Sequence, residues 1–172
     1  MGGRLRKTRF IVALIGLVSD SHGEWLRTRE AMKLLRLKKC DRILHMGDIE
    51  THEVLDELAG LDVSLVFGNC DYVSSLEDYA LSLGIDVQHP AGLCEVDGIR
   101  IGFLHGHDES QFHRFIDDEA VTVVVHGHTH EKRDETFNKT RCINPGALHR
   151  APVYTVAVLN TKDNTVTFYE LD

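Results

Sequence analysis

The chain has 172 residues, 42% of them hydrophobic and 27% charged, which is the composition of a folded protein with a buried core and excludes a disordered one. A formal net charge of −8 excludes broad, sequence-blind binding to nucleic acid, which needs a basic surface, but allows a phosphate-bearing substrate if bound cations supply the positive charge. Cys40, Cys70, Cys94 and Cys142 are scattered without a C-x-x-C pair, which excludes a disulfide framework and a structural zinc site and points to reduced thiols in a cytoplasmic protein.

Arg4, Arg6, Lys7 and Arg9 precede an apolar run at residues 10–18, FIVALIGLV. That order resembles a signal peptide, but the run falls short of the ~20 residues that span a bilayer, and no A-x-A-like site follows it. It reads instead as a buried first strand, and no other segment is a membrane-spanning candidate. Residues 24–39 follow with Trp25, Ala31, Met32 and Leu35 spaced for one helical face. The pattern then predicts a strand at 42–46, a short helix at 52–59 stopped by Gly60, and a third strand at 63–67. Ser74 and Glu77 form an S-x-x-E capping box ahead of a helix that ends near Leu83, with Gly84 as its stop. Residues 93–104 read as two strands joined by Asp97-Gly98, a strong hairpin signal. A helix at 109–118 directs Phe112, Phe115 and Ile116 inward, and residues 121–125 form another buried strand. The tail is β throughout, turning at Asn138-Lys139 and at residues 162–164. Apolar runs alternating with helix-period segments indicate an α/β class. No repeat or linker divides them, so a single domain over residues 1–172 is expected.

The residues just after each central strand carry the chemistry. The first strand ends in Asp20-Ser-His22, the second in Gly47-Asp48 and the third in Gly68-Asn69-Cys70-Asp71. Two later strands end in His105-Gly-His107 and His126-Gly-His128-Thr-His130. Six of the eleven histidines fall in three of these strand ends. Any one of them alone would be an ordinary turn, helix cap or buried imidazole. Together they are not, because ligands of α/β sheets bind outside the carboxyl ends of the strands, where loops gather residues remote in sequence. Mixed oxygen and imidazole donors suit manganese, iron, zinc, cobalt or nickel. Asp20, His22, Asp48, Asn69, His105, His128 and His130 are too many donors for one tetrahedral ion and suit two ions sharing a carboxylate.

In this order the motifs DSH, GD, GNCD, HGH and GHTH resemble the calcineurin-like metallophosphoesterase superfamily, and within it the small YfcE-like phosphodiesterases. INPGA at residues 143–147 is similar to that family's closing segment. The resemblance implies a four-layer αββα sandwich of two mixed sheets flanked by helices, with the metals at one end. It implies two divalent ions, manganese being the leading choice, with Asp20, His22 and His130 on one, Asn69, His105 and His128 on the other, and Asp48 bridging them. It further implies hydrolysis of a small phosphodiester or phosphomonoester by hydroxide held between the ions. His126, at the strand end itself, is expected to support the site and not to bind metal.

Many relatives have histidine where this chain has Cys70, which leaves the proton donor to the leaving group to be found elsewhere. His107 is the substitute, while Cys70 and Asp71 are expected to act behind the ligands, Asp71 by orienting a ligand imidazole. GDIETHE lacks the acidic–arginine pair of the protein phosphatases, and the third motif ends in Asp71 where theirs has glutamate. Those departures disfavour phosphoprotein and dinucleoside-polyphosphate substrates and favour small phosphodiesters such as cyclic nucleotides. The alternative is a non-catalytic interaction module on the same fold, like the retromer subunit that has lost ligands; here every ligand position keeps a competent donor. An exposed apolar patch on the C-terminal strands would favour a homo-oligomer.

Overall fold

Successive side chains of a strand face opposite sides of a sheet. In the computed structural model, which describes residues 13–172, that alternation sorts the core into separate layers. In chain order the elements are β1 (Leu14–Val18), α1 (Trp25–Leu37), β2 (Arg42–His45), α2 (His52–Leu58), β3 (Val63–Leu65), α3 (Val73–Ser82) and β4 (Asp86–Val87). There follow β5 (Ala91–Val96), β6 (Ile99–Leu104), α4 (Glu109–Asp117), β7 (Val123–Val125), β8 (Lys132–Phe137), β9 (Thr140–Pro145), β10 (Tyr154–Asn160) and β11 (Thr165–Leu171).

Two mixed sheets result. One has the order β11-β10-β1-β2-β3-β4, with β1 to β4 parallel; the other has β5-β6-β7-β9-β8, with β6, β7 and β9 parallel. Register aligns the carboxyl ends: Val18 lies opposite His45, and His45 opposite Leu65. In the second sheet Phe103 pairs with Val125, and Val125 with Ile143.

Ile15, Leu17, Leu44 and Met46 face inward and meet Ile101, Phe103, Val123 and Val125 of the other sheet. Their alternates Val18, Ile43, Val63 and Leu65 face outward under Ala31, Met32 and Leu35 of α1 and Val54, Leu55 and Leu58 of α2. On the far side, Leu104, Val124 and Cys142 pack against Ile116 of α4, with Phe112 and Phe115 partly buried. The layers are therefore helices, sheet, sheet, helix, the αββα sandwich expected. No helix among the described residues is long and apolar enough to cross a membrane.

Some expectations fall outside the described residues, and others need correction. Arg4, Arg6, Lys7, Arg9 and residues 10–12 of the first apolar run lie outside the described residues, and β1 is described from Leu14. Trp25 does not share the buried face of α1; it starts the helix exposed, and Thr28 takes the inward position one turn before Ala31 and Met32. The Ser74–Glu77 capping box does not form, because the helix starts at Val73 and so places Ser74 inside its first turn. The α4 cap is instead Asp108, whose carboxylate accepts from the N–H groups of Ser110 and Gln111. β4, only two residues long, carries no readable periodicity.

Phe103 is fully buried between the sheets. Phe103→Ala should cost about 3–5 kcal/mol in denaturant unfolding. A loss below ~1 kcal/mol would mean that the two sheets do not close around this ring.

Candidate metal centre

The loops that follow the strands are laced together by their backbones before any side chain acts. Asp20 N–H donates to Gly47 O (3.0 Å), His22 N–H to Asp48 O (2.8 Å) and Gly23 N–H to Ile49 O (3.1 Å). From the second sheet, Gly127 N–H donates to His105 O (2.8 Å), and Leu148 N–H reaches Ser19 O and Asp20 O (both 3.2 Å). Two glycines make room for the carboxylates. A Cβ on Gly68 would lie 2.1 Å from Asp48 Oδ1 and 2.7 Å from the Asp48 backbone nitrogen. One on Gly127 would lie 1.9 Å from Ser19 Oγ and 2.7 Å from Asp20 Oδ2. The motif glycines are spaces into which the carboxylates fit.

Asp20, His22, Asp48, His128 and His130 all have left-handed backbones, with φ between 43° and 69°. Such conformations are uncommon for residues other than glycine, although Asp, Asn and His tolerate them best, and they concentrate at functional sites.

Asp48 stands at the middle. Its Oδ2 is 3.5 Å from His22 Nε2 and 3.3 Å from His105 Nε2, and its Oδ1 accepts the Cys70 N–H at 2.9 Å. Burial opposes ionisation of this carboxyl, but the His105 hydrogen bond and charge, the Cys70 amide and His22 outweigh it and hold the pKa well below the usual range. Asp20 Oδ1 lies 3.2 Å from His130 Nε2, and Asp20 Oδ2 accepts the His128 N–H at 3.1 Å. His22 Nε2 and His130 Nε2 are 3.2 Å apart. Asn69 Oδ1 is 3.0 Å from His105 Nε2, and the His128 ring stands beside that of His105, centroids 5.1 Å apart.

Three imidazoles are oriented alike. Nδ1 of His22 meets Glu50 Oε1 (2.7 Å), Nδ1 of His105 meets Met46 O (2.7 Å), and Nδ1 of His130 meets Arg150 O (3.2 Å). Those oxygens only accept, so each Nδ1 carries a proton; each Nε2 faces the carboxylates, donating to them while the ring is protonated and offering a lone pair to a cation when the ring is neutral. Converging lone pairs and carboxylates call for positive charge. Asp20 Oδ1 is buried without a hydrogen-bond partner, a further donor atom awaiting a cation. The Asp20 carboxylate beside it raises the pKa of His130, and Asp48 raises that of His105 against its burial.

Among the described residues, Asp20, His22, Asp48 and His130 present donor atoms all within 4.8 Å of one another, as do His22, Glu50 and Cys70. The expected second set is assembled less completely: His105 and Asn69 touch, while the exposed His128 belongs to neither close group. Asp71 does not orient an imidazole. Its carboxylate accepts N–H groups of Ile49 and Glu50 (both 2.7 Å) and Gly68 (2.8 Å), which clamps the loops after β2 and β3 together. His107 is exposed at the rim, 5.4 Å from His105 and 6.2 Å from His128 between ring centroids. His126 donates from Nδ1 to Gly127 O at 3.1 Å and is nearly fully buried.

Sequence reasoning missed four supporting residues. Glu50 holds His22, and Arg150 holds His130 through its carbonyl. Asn144, within the INPGA stretch, donates to Gly127 O (2.9 Å) and Thr129 Oγ1 (3.0 Å) and so pins the loop that carries His128 and His130. His45 accepts the Gly47 N–H at Nδ1 (3.2 Å) and therefore donates from Nε2 to Ser21 Oγ (2.8 Å), joining the first two loops. Only its position at the end of the second strand signals this role.

A fold of two packed sheets with carboxylates and imidazoles gathered at the strand ends is consistent with a metal-dependent phosphoesterase. The profile of the Calcineurin-like phosphoesterase superfamily domain matches residues 14–164, and the chain belongs to that superfamily. It is similar to a phosphodiesterase of Methanocaldococcus jannaschii, 27% identical over 157 residues that cover 86% of this chain and 93% of the relative. An archaeal phosphodiesterase structure superposes with a TM-score of 0.84 at 24% identity, over 92% of this chain and 99% of that one. The phosphoesterase Yfce of E. coli superposes with a TM-score of 0.68 at 18% identity, over 92% and 100%; these last two are likenesses of fold.

Burial lowers the pKa of His45 from its ordinary 6.5 to about 4. Between those values the unfolded chain takes up a proton that the folded ring resists, so this contribution is complete above pH 6.5 and is lost as pH falls toward 4. The loss amounts to roughly 3 kcal/mol. Thermal unfolding from pH 7 to 4 should fall less steeply in His45→Gln than in the wild type. Parallel curves would remove His45 as the source.

Proposed function

We propose that the protein is a dinuclear metal-dependent phosphodiesterase or phosphatase acting on small phosphoesters, in the branch of small enzymes that resemble YfcE. The observation that carries this reading is the Asp48 carboxylate facing His22 from one sheet and His105 from the other. Asp20, His22 and His130 would hold one ion and Asn69, His105 and His128 the other, with Asp48 shared. The donor set suits Mn²⁺, with Fe, Zn, Ni or Co as the other choices. Bound there, two divalent ions supply Lewis acidity and an ionised water for hydrolysis of a P–O bond.

The chain's own residues do the rest. Glu50, Met46 O and Arg150 O fix the imidazoles by their Nδ1 protons, so that no reorganisation is needed when ligands bind. Burial and the neighbouring His105 lower the pKa of His107, which makes its protonated ring a stronger acid. From the rim it would donate an N–H to the departing oxygen of the ester. Cys70 in the third motif and the full-length match to Yfce support the branch, and four free, scattered cysteines support a cytoplasmic location. The retention of a competent donor at every ligand position argues against an interaction module without catalysis.

Elemental analysis should find two transition-metal ions per chain, and bis-nitrophenyl phosphate should be hydrolysed in the presence of Mn²⁺. Asp48→Asn should lower kcat/KM by more than the ~10–100-fold typical of losing an outer partner of a metal ligand. A fully metal-loaded protein inert toward every phosphoester would overturn the reading. His107→Ala should slow esters with poor leaving groups far more than nitrophenyl esters; equal loss on both would remove His107 from the leaving group.

A further inference from the structure

The three imidazoles fixed at Nδ1 are held by groups of two kinds. His105 and His130 turn that atom to the backbone carbonyls of Met46 (2.7 Å) and Arg150 (3.2 Å), which are neutral. His22 turns it to a carboxylate, Oε1 of Glu50, at 2.7 Å. The ring is 2% exposed and the carboxylate 32%, so water screens the contact only in part. A hydrogen bond with an ionised partner is roughly twice as strong as one between neutral groups.

The backbone that delivers this carboxylate is unusual. Glu50 is left-handed, with φ 67°, a conformation that glutamate rarely adopts and that persists where surrounding contacts fix it. Asp71 supplies such contacts. Its Oδ1 accepts the N–H of Glu50 and that of Ile49, both at 2.7 Å, while its Oδ2 accepts the Gly68 N–H at 2.8 Å. Asp71 thus reaches an imidazole at second hand, through Glu50. On the other side of the ring, His22 Nε2 lies 3.5 Å from Asp48 Oδ2 and 3.2 Å from His130 Nε2. Asp20, whose buried Oδ1 has no hydrogen-bond partner, belongs to the same close group of donors.

We infer that Glu50 is a positioning residue for the metal position served by His22, and that it strengthens that position by its charge as well as by orienting the ring. The inference rests on the two-ion reading, in which His22 would serve one ion and His105 the other. A negative charge against Nδ1–H makes Nε2 of the same ring a better donor to a cation, and outer partners of this kind raise metal affinity. Met46 O gives His105 orientation without the charge, so the two positions are unequal. Glutamine at residue 50 separates the two effects, because it keeps an oxygen for Nδ1–H and removes the charge; alanine removes both.

In calorimetric titration of the metal-free protein with Mn²⁺, Glu50→Gln should weaken one ion about tenfold and leave the other unchanged. Glu50→Ala should weaken the same ion further, toward the upper end of the ~10–100-fold range for losing an outer partner. In the Zn²⁺-loaded protein, which is diamagnetic, the low-field Nδ1 proton resonance of His22 should move in Glu50→Gln, while those of His105 and His130 stay in place. Loss of affinity in Glu50→Ala alone would overturn the role of charge. Wild-type affinity in both variants, equal weakening of both ions, or an unmoved His22 resonance would each overturn the inference. Glu50-dependent Mn²⁺ binding by a protein inert toward every phosphoester would instead overturn the proposed function and leave the role of Glu50 standing.

Discussion

A buried, ionised carboxylate approached by imidazoles from two different sheets is the constraint on which the structure turns. Asp48 is almost wholly removed from water, and a charge in that position is tolerated only when surrounding groups return what solvation gave. The Cys70 amide, His22 and His105 do so, and the chain has shaped itself around their approach. Gly68 withdraws its side chain from the space that Asp48 fills, and Asp71 draws the neighbouring loops together by three backbone N–H groups. Lose the carboxylate, and the rings of the two sheets face one another with nothing between them.

The layered fold is what allows such a meeting. Parallel strands end side by side, so β1, β2 and β3 deliver Asp20, Asp48 and Asn69 along one rim, and β6 and β7 deliver His105 and His128 along the other. The inter-sheet core of Leu17, Leu44, Met46, Phe103 and Val125 sets how far apart those rims stand. Close packing makes that distance a fixed property, which a site needing sub-ångström placement requires.

Much of this was legible in the chain because its chemistry is concentrated immediately after apolar runs. DSH, GD, GN, HGH and GHTH stand at strand ends, and the strands have a readable period. What stayed hidden depends on which loops abut in space. Glu50 looks like one acidic residue among many until its oxygen is seen on His22. Asn144 and His45 join loops separated in sequence, Asn144 to Gly127 and His45 to Ser21. Trp25 fitted a helical period yet sits where α1 has not reached the sheet, so periodicity alone placed it inside. Asp71, which its motif neighbours made an imidazole partner, is claimed by backbone amides because two loops close over it.

The left-handed backbones at Asp20, His22, Asp48, His128 and His130 have a consequence for how cations come and go. A donor parked in that region by a web of amide bonds does not swing in to meet an ion. The chain forms a socket whose shape precedes its contents. Ions held there as proposed would then be exchanged without rebuilding the loops, and the one bound would be set by what the surroundings supply as much as by preference among similar radii.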